Sequence, residues 1–93
     1  MKQIVQNAKY VIWLYDVTAK EYTIIKEKFP ENLYEIKDIG NDFSYLKNID
    51  KLETFDKPDI IICDSKSIIN NEITSILLKN HSALIKVTTQ KQM

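Results

Sequence analysis

An uninterrupted apolar run, Ile60-Ile61-Ile62-Cys63, constrains the fold of this chain more than any other segment. Pro58 precedes the run and Asp64 follows it, so the run is short and bounded on both sides. Because no polar residue interrupts it, the pattern is typical of a strand that is buried on both faces. Such strands lie at the centre of parallel sheets that helices cover on either side.

Three further segments favour strands. The run Tyr10–Tyr15 is almost as apolar and ends at Asp16, just as the later run ends at Asp64. Residues 33–39 mix polar and apolar side chains, which predicts a less buried strand, and residues 83–88 favour a last strand.

The segments between these strands favour helices. Thr18 followed three positions later by Glu21 is the pattern of a capping box, so a helix should begin here. Apolar residues recur every three positions from Phe43 to Leu52, which predicts a second helix that ends before Pro58. A third helix is predicted over residues 69–77.

This alternation predicts an α/β fold with a small doubly wound, mostly parallel four-stranded sheet in the order 2-1-3-4, with helices on both faces. The two most apolar runs are expected side by side at its centre. The length of 93 residues suits a single domain, 1–93, with residues 1–9 as an N-terminal extension and 90–93 as a polar tail.

Composition argues against several classes of partner. Basic and acidic residues number 13 each, and every basic residue is Lys, so neither a nucleic acid nor a membrane surface is expected as a partner. Cys63 is the single cysteine, which rules out a disulfide within the chain and favours a cytoplasmic location. The first residues lack the apolar core of a signal peptide, and no apolar run reaches bilayer length.

The chain resembles the receiver domains of bacterial response regulators at three places. These are the acid that ends the first strand, Asp16, the Lys-Pro-Asp-apolar-Asp pattern of Lys57 to Asp64, and a fourth strand that ends in Thr88. The resemblance implies that Asp64 is a phosphoacceptor, that Asp16 and Asp64 are Mg²⁺ ligands, and that the Thr88 hydroxyl contacts the phosphoryl group. Carboxylate oxygens are ligands that Mg²⁺ prefers.

The same comparison predicts that the domain is truncated or degenerate. Tyr15 and Val17 flank Asp16, where the family carries two adjacent acids, and the family's lysine at the end of a fifth strand has no counterpart here. We therefore expect a non-catalytic regulatory protein that acts through protein–protein interaction and needs no cofactor. A phosphorylatable receiver with Asp64 as acceptor and Mg²⁺ as cofactor is the alternative.

A second alternative uses Cys63. Rhodanese-like domains, which this segment also resembles, carry sulfur on a cysteine that follows a buried strand. The loop after Cys63 contains neither Gly nor Arg, and the adjacent Asp64 carboxylate should raise the thiol pKa, which disfavours the reactive thiolate.

The last expectation concerns assembly. Nothing in the sequence after the fourth strand is predicted to cover that strand, and open sheet edges are often closed by another chain. We expect a homodimer or an obligate protein partner on this side. The predicted contact residues are Leu84, Ile85 and Val87, with Ile76 and Leu77 of the third helix beside them.

Overall fold

A computed structural model of the chain describes residues 9–87. The strands are β1 (Tyr10–Tyr15), β2 (Tyr34–Asp38), β3 (Ile60–Asp64) and β4 (Ala83–Val87), and the helices are α1 (Ala19–Lys28), α2 (Phe43–Lys47) and α3 (Asn71–Lys79). The predicted polar tail and all but the last residue of the predicted N-terminal extension lie outside the described residues.

The four strands form one parallel sheet in the order β2-β1-β3-β4, which confirms the predicted α/β topology. The two most apolar strands, β1 and β3, are neighbours at its centre, with Trp13 beside Ile61 and Leu14 beside Ile62. Ile61, Ile62 and Cys63 are fully buried, as expected for a strand that is covered on both faces.

Helices cover both faces of the sheet. On one face, Trp13, Ile61 and Cys63 pack with residues of α2 and α3 such as Leu46 and Ile73. On the opposite face, α1 contributes Ile25 to a cluster whose other fully or nearly fully buried members are Ile12, Leu14 and Ile62. Alternate residues of β3 therefore join two cores, one on the α2 and α3 face and one on the α1 face.

The predicted capping box is present at the start of α1. The Glu21 N–H donates to the Thr18 hydroxyl at 3.1 Å, and the Thr18 N–H donates to Glu21 Oε1 at 2.9 Å. These two bonds satisfy backbone donors that a helix start leaves without partners. They also fix the direction of the Glu21 side chain, which lies against the carboxyl end of the sheet.

The single long helix predicted from Phe43 to Leu52 is wrong. The α-helix α2 ends at Lys47, and two short 3₁₀ turns follow, Ile49–Lys51 and Thr54–Asp56. Apolar residues that recur every three positions match the three residues per turn of a 3₁₀ helix better than the 3.6 residues per turn of an α-helix. The spacing nevertheless identifies the inward face, since Leu46 and Ile49 are fully buried.

Candidate functional site

The carboxyl ends of β1 and β3 bring together two predicted site residues, Asp16 and Asp64. Asp16 follows β1 directly and has a φ of 57°, a left-handed conformation that Asp tolerates better than most residues. Its N–H donates to the Gly40 carbonyl at 2.6 Å. Its Oδ2 accepts from the Ser67 hydroxyl at 2.9 Å, which links the end of β1 to the loop after β3.

A third acid at this edge is Glu21, which the sequence predicted as part of the helix cap. Its exposed fraction is 3%, which is unusual for a carboxyl group. Burial, followed by a hydrogen bond with the Asp64 side chain, raises the pKa of Glu21. Glu21 can donate this bond to the Asp64 carboxylate only in its protonated form, so burial and the neighbouring acid both favour protonation of Glu21.

Asp64 is half-buried at the end of β3 and titrates in the opposite direction. The hydrogen bond from Glu21 is the main cause that lowers the pKa of Asp64, and the Lys66 N–H adds to it. That N–H donates to Asp64 Oδ2 at 3.0 Å, so the side chain also closes the turn after the strand. Both interactions favour the ionised form of the Asp64 carboxyl group.

The two residues predicted as metal ligands, Asp16 and Asp64, lie at the same edge of the sheet. Within residues 9–87, however, no group of three or more His, Cys, Asp or Glu side chains has the arrangement of a metal site. Glu21 adds a carboxyl group near Asp64, but one of its oxygens already accepts from the Thr18 N–H. One oxygen of Asp16 and one of Asp64 likewise accept hydrogen bonds, from the Ser67 hydroxyl and the Lys66 N–H.

Cys63 is a different kind of residue from the acids around it. Its side chain lies in the core on the α2 and α3 face and is fully buried. Burial is the main cause that raises the thiol pKa, with smaller contributions from Asp64, Asp16 and Glu21. A buried thiol with a raised pKa supplies little thiolate, so the geometry disfavours sulfur transfer at this position.

Thr88, whose hydroxyl the receiver resemblance places against a phosphoryl group, lies outside the described residues. Two positions before it, Lys86 Nζ donates to the Ser67 carbonyl at 3.2 Å. Ser67 therefore contacts Asp16 through its hydroxyl and Lys86 through its carbonyl. Neither Ser67 nor Lys86 was singled out from the sequence, because the contacts join segments far apart in the chain.

The predicted contact residues divide into two groups. Leu84 and Ile85 are 37% and 38% exposed on the outer strand β4, and Val87 is half-buried. Ile76 is half-buried against the core on the α2 and α3 face, and Leu77 belongs to that core with an exposed fraction of 3%. The Leu77 side chain is therefore covered by the chain's own residues, whereas those of Leu84 and Ile85 are exposed.

A groove of about 480 Å³ on the opposite half of the sheet was not predicted from the sequence. Trp13, Tyr45 and Phe55 line it, and the Lys37 ammonium lies 5.7 Å and 5.0 Å from the ring centroids of Trp13 and Tyr45. Trp13 and Lys37 are direct neighbours in the pairing of β1 with β2. The lysine thus already occupies the aromatic surface as a cation–π partner.

Comparisons with known proteins add no family to this description. No protein-family model, curated protein or solved structure matches the chain. Among the helices of residues 9–87, none combines the length and the apolar character needed to cross a bilayer.

Proposed function

We propose that this chain is a non-catalytic regulatory module, receiver-like in architecture, that binds a protein partner through the β4 side of its sheet. The observation that carries the proposal is the exposure of this strand. β4 is an outer strand of the sheet, and its two large apolar residues, Leu84 and Ile85, are each more than a third exposed. Outer strands with exposed apolar side chains favour pairing with another chain.

Helix α1 covers its face of the sheet unevenly, and the less covered part lies at β4, the proposed binding surface. Ile25 of α1 packs against Ile12, Leu14 and Ile62, and Phe29 contacts Tyr34 on β2 in an edge-to-face arrangement with ring centroids 5.0 Å apart. The helix thus packs on the central strands and on the β2 side of the sheet. At the β4 side of the same face lie Ile60, Ile85 and Val87, none of which is fully buried.

The chemistry at the carboxyl edge supports a non-catalytic role. Asp64 is stabilised as a carboxylate by Glu21 and by a backbone N–H, and Cys63 is a core residue. Of the two candidate nucleophiles, Cys63 is buried with a raised pKa, and the Asp64 side chain already accepts the Lys66 N–H. Cysteine usage favours the cytoplasm as the place where the module acts.

Photo-crosslinking at β4 tests this proposal. Benzoylphenylalanine replaces Ile85 in one variant and Ile24 of α1, which is 40% exposed, in a matched control. We expect adducts with a protein partner from position 85 and not from position 24, and we expect the added substitution Leu84→Lys to reduce them. Equal labelling at the two positions, or no adduct from either, would contradict a binding surface on β4.

A second candidate function is phosphorylation of Asp64 with Mg²⁺ as cofactor. The observation in its favour is that Asp16, Glu21 and Asp64 meet at one edge of the sheet. Although no second acid is adjacent to Asp16 in the sequence, Glu21 thus provides a carboxyl group beside Asp64. Incubation with acetyl phosphate and Mg²⁺ should nevertheless give no stable adduct, because Tyr15 and Val17 flank Asp16 in place of a second acid, and one Glu21 oxygen already accepts from the Thr18 N–H. Intact mass spectrometry checks this. An added phosphate that is absent in Asp64→Asn would establish the second function instead.

A further inference from the structure

The direction of the backbone groups along β4 determines how another strand can pair with it. The Ala83 N–H donates to the Asp59 carbonyl at 2.9 Å, and the Val87 carbonyl accepts from the Ser65 N–H at 2.7 Å. Because these groups alternate along a strand, Ala83, Ile85 and Val87 direct theirs toward β3. Leu84 and Lys86 therefore direct their N–H and carbonyl groups away from the sheet.

We propose that β4 pairs with β4 of a second copy of this chain, antiparallel, with the two-fold axis between the two Ile85 residues. This inference rests on the proposed function and names its partner. In this register Leu84 of each copy lies opposite Lys86 of the other. Both residues of each such pair have outward backbone groups, so each pair exchanges both of its hydrogen bonds. The two parallel sheets join into one continuous sheet.

The neighbouring registers are less favourable. Placing the axis at Lys86 sets the two Lys86 side chains directly opposite each other, and like charges in that position are destabilising. Placing the axis at Leu84 sets Lys86 opposite Ser82, whose N–H already donates to the Leu77 carbonyl at 2.9 Å. A shift by one residue sets outward groups against inward ones and forms no ladder. The Ile85 register combines a complete ladder with separated charges.

The side chains fit this register on both faces of the sheet. On the α1 face, Ile85 meets Ile85 and Ala83 meets Val87, so apolar residues are paired throughout. On the other face, Leu84 lies beside the aliphatic part of Lys86. Lysines on edge strands hinder pairing when they project across the edge, but Lys86 Nζ is held by the Ser67 carbonyl at 3.2 Å.

Cysteine crosslinking tests the register directly. Across the axis the two Ile85 Cα atoms should lie about 4.5 Å apart, within the range of about 4.4–6.8 Å that a disulfide requires. The two Leu84 Cα atoms should lie about 7–8 Å apart, which is too far. In the full chain, mild oxidation should therefore link Ile85→Cys into a dimer and leave Leu84→Cys monomeric.

The controls for this experiment are matched in exposure. Leu84 and Ile85 are 37% and 38% exposed, and Ile24→Cys on α1, at 40%, reports random collision. The unsubstituted chain reports any contribution from Cys63, which is fully buried. Equal crosslinking at positions 84 and 85, or preferential crosslinking at 84, would overturn the register.

A charge test at position 84 measures the same pairing in solution. Leu84→Lys places two lysines opposite each other at both ends of the pair and should raise the dissociation constant about tenfold or more. Leu84→Glu places a carboxylate opposite Lys86 and should leave it within about threefold of the original value. Sedimentation at tens of micromolar reads out both variants. Equal weakening by Lys and Glu would contradict the pairing.

Failure of this inference is distinguishable from failure of the proposed function. A clean monomer at tens of micromolar, with no Ile85→Cys dimer, overturns self-pairing. If benzoylphenylalanine at position 85 then still links to a different protein and position 24 does not, the binding function of β4 stands with another partner. If neither position yields an adduct, both are wrong.

Discussion

Glu21 has two roles that favour different charge states of its carboxyl group. As the third residue of α1 it must accept from the Thr18 N–H, which suits a carboxylate. As a buried neighbour of Asp64 it must be neutral to donate a hydrogen bond. The structure thus holds an acid whose cap favours one charge state and whose burial and neighbour favour the other.

The substitution Glu21→Gln should remove a pH-dependent loss of stability. Because the pKa of Glu21 in the folded chain is raised above its ordinary value of 4.5, its contribution is complete below that pH and is lost as the pH rises through the raised value. Gln does not ionise, still accepts from Thr18 and can donate to Asp64. The free energy of unfolding of the Glu21→Gln variant, relative to that of the original chain, should therefore increase as the pH rises from 4.5 through the raised pKa.

Denaturant titrations at a series of pH values measure this difference. The pKa of Asp64 is lowered, so its contribution is present above its ordinary value of 3.8 and is lost as the pH falls. Asp64→Asn is the matched control, since it removes the carboxylate that adds to burial in raising the pKa of Glu21, and it should flatten part of the pH dependence. Parallel curves for Glu21→Gln and the original chain would disprove the raised pKa of Glu21.

Helix α1 depends on its cap more than on its own propensity. It contains Tyr22, Thr23, Ile24 and Ile25 in succession, residue types of modest helix propensity. The capping box satisfies its first backbone donors, Glu21 lies in the first turn, and Lys26 and Lys28 lie in the last turn, where they complement the helix dipole. Ile25 then buries the helix against the sheet.

The substitution Thr18→Ala should destabilise the fold by about 1 kcal/mol, because it removes the hydroxyl that accepts from the Glu21 N–H. Thr23→Ala is the control within the same helix. The Thr23 hydroxyl only donates to the Ala19 carbonyl at an exposed position, so its replacement by a better helix former should be neutral or slightly stabilising. Equal costs in thermal or denaturant unfolding would show that the cap has no special weight.

At the scale of the whole molecule, β3 connects the two cores. Ile61 packs on the α2 and α3 face, Ile62 packs on the α1 face, and both are fully buried. Strand β4 completes the sheet beside it but stays partly exposed. Substitutions at the centre of the sheet should therefore reduce stability strongly, whereas the β4 side chains are exposed enough for another chain to contact them.

The substitution Ile61→Ala should cost about 2–5 kcal/mol, since it leaves a cavity among well-packed neighbours. Ile68→Ala is the matched control, because Ile68 is 85% exposed in the loop after β3, and it should change stability by less than about 0.5 kcal/mol. Denaturant midpoints at constant slope give both values. A small cost at Ile61 would mean that β3 is not the packing centre.

The sequence alone determined the strand order, the central pair of strands and the start of α1. These features depend on patterns within short segments: uniform apolar runs, alternation with helical segments, and Thr and Glu at capping distance. The extent of α2 was missed because a spacing of three suits both an α-helix and 3₁₀ turns, and only packing decides between them.

The contacts of the side chains at the carboxyl edge could not be predicted from the sequence, because they form between distant segments. Asp16 was predicted to meet Asp64 there, but the contacts of Asp64 with Glu21, of Asp16 with Ser67 and of Ser67 with Lys86 each join separate segments. The depth at which Glu21 and Cys63 are buried depends in the same way on neighbours from several elements. Burial and long-range hydrogen bonds set the pKa and the reactivity of a group, and they arise only when distant segments pack together.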